Sequence, residues 1–391
     1  MKLQKNFILA LIFFKYVAVN GQLFTPLNLG IEKCELKESH HQPQMHIEGD
    51  ILYVCTNQGL YSRDLSNREG KWQLAGFKDI PLQDFVRSGN DMMALCNSNS
   101  SCLLLSHDGG ENFKDITPDL FKGNKNDGKT LISLAQNPVD SNTLLVLSNP
   151  TGILQTSDFG QTWNQITSMI PQHIGYHPLN PDIICIGGKT LFYAPCIYIS
   201  YDCGQTWSYL MPENHGDNCV NRISFDPVNP DRWIAGGQGV IYSSADNGFT
   251  WNTHYFEGDV RGDVDWRLAA YDNENSDIVY MAGCSQDKTE VICSIDGGNT
   301  WSMPQTISMK TSSSEMIYDL EQYDGKLLFF TESDIYEVSK TELLAQSTSI
   351  RNISTLTNIE SIGIYDLLGR KQRIRPSEGI YILQGQKVLV K

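Results

Sequence analysis

Short apolar runs separated by turn residues fill most of the chain, and long apolar stretches at helical spacing are few. One segment shows the pattern well: residues 222–225, 233–236 and 240–243 are strand-like, with a Pro/Asn/Asp turn at 226–230 and an indole, Trp251, opening a fourth run. Strand-like runs bounded by Gly, Pro, Asn and Asp are typical of β-strands joined by tight turns. The pattern therefore predicts an all-β body.

An eight-residue motif, Ser/Thr-x-Asp-x-Gly-x-Thr-Trp, recurs along this body in full or nearly full form. Its aspartates are Asp108, Asp158, Asp202, Asp246 and Asp296, at intervals of 50, 44, 44 and 50 residues. A degenerate copy lies at Asp64, 44 residues before the first, and a strand pair at 327–331 and 335–338 follows the last. This period is the length of a four-stranded blade, so the seven units predict a seven-bladed β-propeller.

The motif has a structural logic of its own. The hydroxyl and the carboxylate can accept backbone N–H bonds inside a hairpin turn, and glycine supplies the positive φ that the turn requires. The closing indole suits the crevice between adjacent blades, at positions Trp163, Trp207, Trp251 and Trp301. A structural role, rather than catalysis, is expected for these residues.

These motifs resemble the Asp box, or bacterial neuraminidase repeat, of sialidases, some glucan hydrolases, sortilin-type receptors and photosystem assembly factors. The resemblance covers roughly residues 45–339. It implies a propeller whose Asp boxes lie at the periphery, away from the central face where ligands bind.

The two ends of the chain have a different composition. Lys2 and Lys5, an apolar run at 7–14 and small residues at 19–21 predict a signal peptide at 1–21, which places the propeller at 22–340. No transmembrane segment is expected in the mature chain. A linker at 341–360 then leads to a tail at 361–391 that carries six Lys or Arg against two Asp or Glu.

Three ordered blocks in the tail, 362–370, 379–383 and 387–391, are similar to the C-terminal sorting domain of the type IX secretion system of Bacteroidota. The resemblance implies recognition by the outer-membrane machinery and a final location outside the cell or on its surface, reached through the periplasm. An ordinary small β module that caps the propeller is the alternative.

Charge and cysteines narrow the possible partners. The formal net charge of −15 opposes a nucleic-acid partner, because phosphate binding needs concentrated Lys and Arg. No cofactor is expected, and no metal, since the chain lacks a close Cys-x-x-Cys pair. Ten cysteines in an exported chain indicate five disulfides. Spacing favours Cys96 with Cys102, Cys185 with Cys196, and Cys284 with Cys293, each pair flanking an expected hairpin turn. Cys203 with Cys219 and Cys34 with Cys55 would complete the set.

Ligands of propellers usually bind where the inner strands begin, around the central axis. The candidate residues at these positions are Asp84, Lys129, His173, Arg222, Asp265, Arg267, Tyr318 and Asp319. Two arginines on successive blades can hold a carboxylate, and the carboxyl groups of Asp84 and Asp319 can form an acid and base pair. The alternative is a set of solvated rim residues or ion pairs between blades.

The function expected first is a secreted or surface propeller scaffold that binds a glycan or protein through its central face without catalysis. The competing hypothesis is a glycoside hydrolase, sialidase-like or glucan-cleaving, with a diverged active site. Sialidases carry an early Phe/Tyr-Arg-Ile-Pro segment, and the propeller body has none. An assembly factor for exported proteins is a third possibility, based on fold analogy.

Overall fold

A computed structural model of the chain describes the propeller body and short pieces of the tail. The described residues are 23–29, 43–67, 69–97, 101–119, 130–149, 151–168, 173–189, 195–210, 219–256, 260–309, 316–347, 351–352, 364–365, 379–383 and 386–390. They form seven four-stranded antiparallel sheets that follow one another along the chain, and an eighth sheet in the tail. The predicted seven-bladed β-propeller is confirmed.

Blades 1 to 6 are each built from four consecutive strands. Blades 1 and 2 consist of β2 (Met45–Glu48), β3 (Ile51–Thr56), β4 (Gly59–Asp64) and β5 (Gln73–Gly76), then β6 (Leu82–Ser88), β7 (Asp91–Asn97), β8 (Ser101–Ser106) and β9 (Lys114–Asp115). Blades 3 and 4 consist of β10 (Thr130–Gln136), β11 (Leu144–Asn149), β12 (Gly152–Thr156) and β13 (Asn164–Thr167), then β14 (His173–His177), β15 (Asn180–Lys189), β16 (Pro195–Ser200) and β17 (Ser208–Leu210).

Blades 5 and 6 consist of β18 (Ser224–Phe225), β19 (Trp233–Gly237), β20 (Val240–Ser244) and β21 (Asn252–Tyr255), then β22 (Asp265–Tyr271), β23 (Val279–Cys284), β24 (Lys288–Ser294) and β25 (Gln305–Met309). A short 3-10 helix at Val260–Asp263 precedes β22. The first strand of each blade is the inner one, and each inner strand contacts the inner strand of at least one neighbouring blade around the axis. The inner strands therefore enclose a central channel.

Blade 7 takes strands from both ends of the body. It contains β26 (Ile317–Tyr323), β27 (Lys326–Thr331), β28 (Ile335–Ser339) and, as the outermost strand, β1 (Thr25–Pro26). The Leu27 N–H donates to the Ile335 carbonyl at 2.8 Å, and Phe24, only 2% exposed, packs edge-on against Phe329. The segment before blade 1 thus closes the ring.

The core lies between the blades rather than on the axis. Seven clusters of buried apolar side chains each join two neighbouring blades. In the cluster between blades 2 and 3, for example, Met93 and Leu95 meet Leu144 and Val146, all fully buried. Each such side chain contributes roughly 1.5–3 kcal/mol by leaving water. The alternating apolar faces of the strands are therefore used to hold blade against blade.

The Ser/Thr-x-Asp motifs form locked turns between the third and fourth strands of their blades. Thr156 Oγ1 donates to Asp158 Oδ1 at 2.7 Å and accepts the Gly160 N–H at 2.9 Å, and Asp158 accepts both the N–H and the hydroxyl of Thr162. Phe159 and Gly160 both have positive φ. The matching bonds recur at Asp108, Asp202, Asp246 and Asp296. The carboxylates thus stabilise the turns.

The indoles that end the motifs add hydrogen bonds to the same turns. Their Nε1–H groups donate to the motif glycine carbonyls in three copies, from Trp207 to Gly204, Trp251 to Gly248 and Trp301 to Gly298. Trp163 packs against the core between blades 2 and 3. The degenerate copy keeps only part of this pattern, since Asp64 accepts the N–H and hydroxyl of Ser66.

One of the expected disulfides is formed. Cys96 and Cys102 lie opposite each other on β7 and β8, with 5.2 Å between their Cα atoms, and are bonded. The next two expected pairs, Cys185 with Cys196 and Cys284 with Cys293, are wrong, because the two cysteines of each pair do not lie opposite each other in their hairpin. Cys185 faces Ile199 while Cys196 faces Gly188, and Cys284 faces Thr289 while Cys293 faces Tyr280.

The fourth expected pair, Cys203 with Cys219, also differs from the structure, whereas the fifth, Cys34 with Cys55, stays a prediction. The Cys203 Sγ donates to the Asp182 carboxylate at 3.0 Å and Cys219 Sγ lies 3.5 Å from the Val220 carbonyl, so these two cysteines are not bonded to each other. Cys34 lies outside the described residues, as does the expected signal peptide at 1–21.

After blade 7 the chain continues into one helix, α1 (Lys340–Ser347). It occupies the first part of the segment expected to be a linker, and Leu343 is fully buried in the core of blades 6 and 7. The tail sheet contains β29 (Arg351–Asn352), β30 (Ile364–Tyr365), β31 (Gly379–Leu383) and β32 (Gln386–Val390), in the order β29-β32-β31-β30. Across the described residues, no helix has the length and apolar character needed to span a bilayer.

Candidate functional site

The inner strands surround a cavity of about 710 Å³. Repeated bonds identify equivalent positions on them: Asn137, His177, Asp226 and Asp272 each accept two N–H groups of the turn that follows the inner strand. On each of these four blades, the residue four positions before the turn residue lines the cavity. One residue at the equivalent position of each of the other three blades lines it as well. These seven residues form the channel ring: Gln44, Asp84, Ser133, His173, Arg222, Leu268 and Asp319.

Two carboxylates of the channel ring connect neighbouring blades. Asp84 is buried; its Oδ1 accepts the Phe85 N–H at 2.8 Å, and its Oδ2 accepts the Leu134 N–H of the next blade at 2.9 Å. Asp319 is fully buried and does the same at the closure of the ring, with Oδ1 accepting from Leu320 and Oδ2 from Met45. Both carboxylates follow a β-bulge, where the inner strand offers an N–H that its own sheet does not use.

Arg222 reaches across the channel from blade 5 to blade 7. Its Nη1 lies 2.6 Å from Asp319 Oδ1 and donates also to the Gln44 side chain at 3.2 Å. The guanidinium therefore neutralises Asp319 and joins three blades at one level of the channel.

His46 and Glu321 lie two residues further along β2 and β26, also in the cavity wall. His46 Nε2 is 3.5 Å from Asp84 Oδ1. Burial alone lowers the pKa of His46, but the Asp84 carboxylate, helped by the two carboxylates of β26, raises it above its ordinary value. His46 thus gains a proton more readily than an isolated histidine.

Burial raises the pKa of Glu321 to about 7, and the nearby negative charge of Asp319 adds to this rise. The positive charges of His46 and Arg222 oppose it. The pKa of His173 shifts in the opposite direction, because burial and the positive charge of Arg222 lower it to about 3. Near neutral pH His173 is therefore neutral, and Glu321 is present in both its protonated and its ionised form.

At the opposite end of the inner strands the wall carries a second ion pair. Arg87 Nη1 lies 3.3 Å from Glu48 Oε2 and donates to the Tyr53 hydroxyl at 2.7 Å. In the described part of the chain, no three His, Cys, Asp or Glu side chains are grouped so as to hold a metal ion.

The structure brings together four of the eight predicted ligand-face residues: Asp84, His173, Arg222 and Asp319 line one cavity. Asp265, Arg267 and Tyr318 are not in its wall. Arg267 Nε donates to Asp265 Oδ2 at 2.8 Å, and Tyr318 is buried against Phe330. Arg267 and Tyr318 occupy the extra position of a β-bulge, which turns them away from the positions that face the channel. Lys129 lies outside the described residues.

Sequence reasoning missed Gln44, His46 and Glu321. Blade 1 has only the degenerate motif at Asp64, so its inner strand was not aligned with the others. Glu321 had a usable signal: it stands two residues after Asp319, and residues two apart on a strand lie on the same side.

No protein-family model matches the chain, and no curated protein sequence matches it. Solved structures do. The chain is similar to a GH74 xyloglucanase from Xanthomonas campestris (TM-score 0.56, 16% identity, 74% of this chain), of which it spans only 50%. It is also similar to YCF48 from Cyanidioschyzon merolae (TM-score 0.58, 9% identity, 82% of this chain and 100% of that one).

YCF48 bound to D1 peptide matches with a TM-score of 0.55 and 15% identity, over 82% of this chain and 97% of that one. The extracellular domain of a one-component system of B. thetaiotaomicron matches with a TM-score of 0.54 and 13% identity, over 93% of this chain and 45% of the other. At these identities the likeness establishes the fold. The chain is a seven-bladed β-propeller whose central channel is lined by polar and apolar side chains.

Proposed function

We propose that this propeller is a binding scaffold that holds a protein or glycan ligand at its central channel and does not catalyse a reaction. The observation that carries this proposal is the state of the two candidate catalytic carboxylates. Each oxygen of Asp84 and of Asp319 accepts a backbone N–H, and Asp319 also accepts from Arg222. A general base or nucleophile needs an oxygen free to reach the substrate.

The wall of the cavity suits recognition. It combines polar side chains, among them His173, Arg222 and Glu321, with small apolar residues such as Ala135 and Ala270. Mixed apolar and polar linings of this kind are typical of ligand sites. YCF48, which matches this chain over 97% of its own length, has a structure bound to a peptide, and this supports a peptide-binding use of the fold for this chain.

The repeated turns and the tail support an extracellular setting. We propose that the Ser/Thr-x-Asp turns are Asp boxes and that residues 361–391 act as a type IX sorting domain, so that the propeller reaches the medium or the cell surface through the periplasm. The Cys96–Cys102 disulfide is compatible with an oxidising compartment. Cleavage of the tail is tested by mass spectrometry of the secreted protein.

The test of the binding function is a screen of the purified mature protein on glycan and peptide arrays, run beside a panel of fluorogenic glycosides. The proposal predicts ligands on the arrays and no turnover of any glycoside. Turnover in the absence of array ligands would contradict it.

A glycoside hydrolase is the second candidate, because Glu321 combines a position in the cavity wall with a pKa of about 7, a property of general acids in glycosidases. This candidate predicts hydrolysis of one glycoside with a pH optimum near neutrality. It also predicts that Glu321→Gln abolishes that hydrolysis while binding of the same sugar is kept.

A further inference from the structure

Glu321 differs from the other carboxylates in the wall of the channel. Asp84 and Asp319 have the partners described above, and Glu48 pairs with Arg87. Within the described residues, no side chain donates a hydrogen bond to Glu321 or forms an ion pair with it, and its hydrogen-bonding neighbour is the backbone of Gln322. Its oxygens are therefore available to a ligand in the cavity.

The charges around Glu321 leave it without a counter-ion of its own. Arg222 is bound to Asp319 at 2.6 Å, and His46 lies against Asp84. His173 from β14 is neutral above pH 3 or so. With Glu321 ionised and His46 neutral, the carboxylates of Asp84, Asp319 and Glu321 face one fixed positive charge, that of Arg222, so a proton or a ligand cation can supply positive charge that the site lacks.

The channel wall at the level of Glu321 is suited to an unbranched aliphatic chain of a ligand. Small or aliphatic residues stand at most of the equivalent positions, where a hydroxyl-rich sugar would need polar partners. The equivalent residues on the other inner strands are His46, Val86, Ala135, Gly175, Ser224 and Ala270. The Ser224 hydroxyl already donates to the Ala269 carbonyl.

We propose that the channel binds a lysine side chain of a protein ligand, with its ammonium on the Glu321 carboxylate and its methylene stem beside Ala270 of the adjacent blade 6. The ammonium is a compact charge that one carboxylate can neutralise, whereas a guanidinium has five donors to satisfy. This inference rests on the proposed binding function and names its ligand class.

Binding of the lysine competes with the proton on Glu321. With a pKa of about 7, the carboxylate is mostly ionised at pH 8 and mostly protonated at pH 5.5, while lysine stays charged at both. Affinity is therefore expected to fall about 30-fold between pH 8 and pH 5.5. Protonation of His46 below its raised pKa acts in the same direction, because it adds a positive charge beside the site.

Ligand-observed NMR titrations test this with capped pentapeptides that differ only at the central residue: Lys, Nε-acetyl-Lys, Arg or Gln. The protein is the mature wild type, Glu321→Gln, or the control Glu342→Gln, which removes the same charge from the exposed face of α1. We expect the Lys peptide to bind wild type and the control within twofold of each other. The acetylated peptide and Glu321→Gln are expected to lose at least tenfold in affinity.

Equal binding of the Lys and acetyl-Lys peptides, or unchanged affinity in a folded Glu321→Gln variant, would overturn the proposal. Glucosamine, added as a competitor, distinguishes an amino sugar from a lysine side chain as the source of the ammonium group. Tighter binding of glucosamine than of the Lys peptide would also overturn the proposal. If array ligands bind without any dependence on Glu321, the lysine inference fails and the binding function stands. If the arrays give no ligand at all, the binding function itself fails.

Discussion

Replacing Asp319 by asparagine is expected to weaken the closure of the propeller. The Asp319 carboxylate is fully buried and connects blade 7 to blade 1 through Met45, while it also pairs with Arg222 of blade 5. Asparagine keeps the size of the side chain but turns one acceptor oxygen into a donor. Whichever way the amide is placed, either the Met45 N–H or the guanidinium faces a donor.

The cost follows from these contacts. A buried N–H left without an acceptor costs about 1–3 kcal/mol, and breaking a buried ion pair costs about 3–5 kcal/mol. The Arg222 side chain is 33% exposed and water can replace part of what it loses, so the lower end applies. We expect Asp319→Asn to lower the free energy of unfolding by about 3 kcal/mol.

Equilibrium unfolding in urea measures this, with Asp324→Asn as the matched control in the same blade. Asp324 is exposed, with φ of 44°, a conformation that asparagine adopts readily, so its replacement is expected to change stability by less than about 0.5 kcal/mol. A variant as stable as wild type would refute the structural role of Asp319. Loss of a hydrolytic activity at unchanged stability would favour catalysis instead.

Three further perturbations test the same account. Ser200→Ala removes the acceptor of a buried N–H in a Ser/Thr-x-Asp turn and is expected to cost about 1–3 kcal/mol in urea unfolding, whereas Ser208→Ala on an exposed strand position should cost almost nothing; equal effects would contradict the turn's role. Phe24→Ala should destabilise by about 3–5 kcal/mol because β1 closes blade 7, and exposed Thr25→Ala should not; a neutral Phe24 variant would show that the ring closes without β1. Since the folded pKa of Glu321 lies above its ordinary value, the contribution of this group to stability should be lost as the pH rises from about 4.5 to 7, and over this window the urea midpoint of Glu321→Gln should rise more steeply with pH, or fall less, than that of wild type; an identical slope would refute the pKa.

The fold was predictable because the Ser/Thr-x-Asp turns repeat at the period of one blade and depend on local bonds. In each of the five copies the carboxylate, the hydroxyl and the glycine form the turn through bonds within eight residues, as at Asp158 and Asp296. The closing strand β1 was not predictable in the same way. It has two residues, one of them a proline, and it is defined by its partner β28, some 300 residues away in the chain.

The site was predictable only in part, for a related reason. The positions of Asp84, His173, Arg222 and Asp319 follow from where each inner strand begins, and all four reach the cavity. Bulges moved Arg267 out of it, since one extra residue in a strand reverses which side chain faces the channel.

Titration of an array ligand against wild type and Gly175→Phe tests most directly whether the channel is the binding site. Gly175 lines the cavity, and a Cβ there would meet only the His173 ring at 3.8 Å, so the phenyl group can enter the channel without displacing the backbone. Leu74→Phe on the outer strand of blade 1 is the control. If the channel is the binding site, Gly175→Phe abolishes binding while the control binds like wild type; full binding by a folded Gly175→Phe protein would contradict this location of the site.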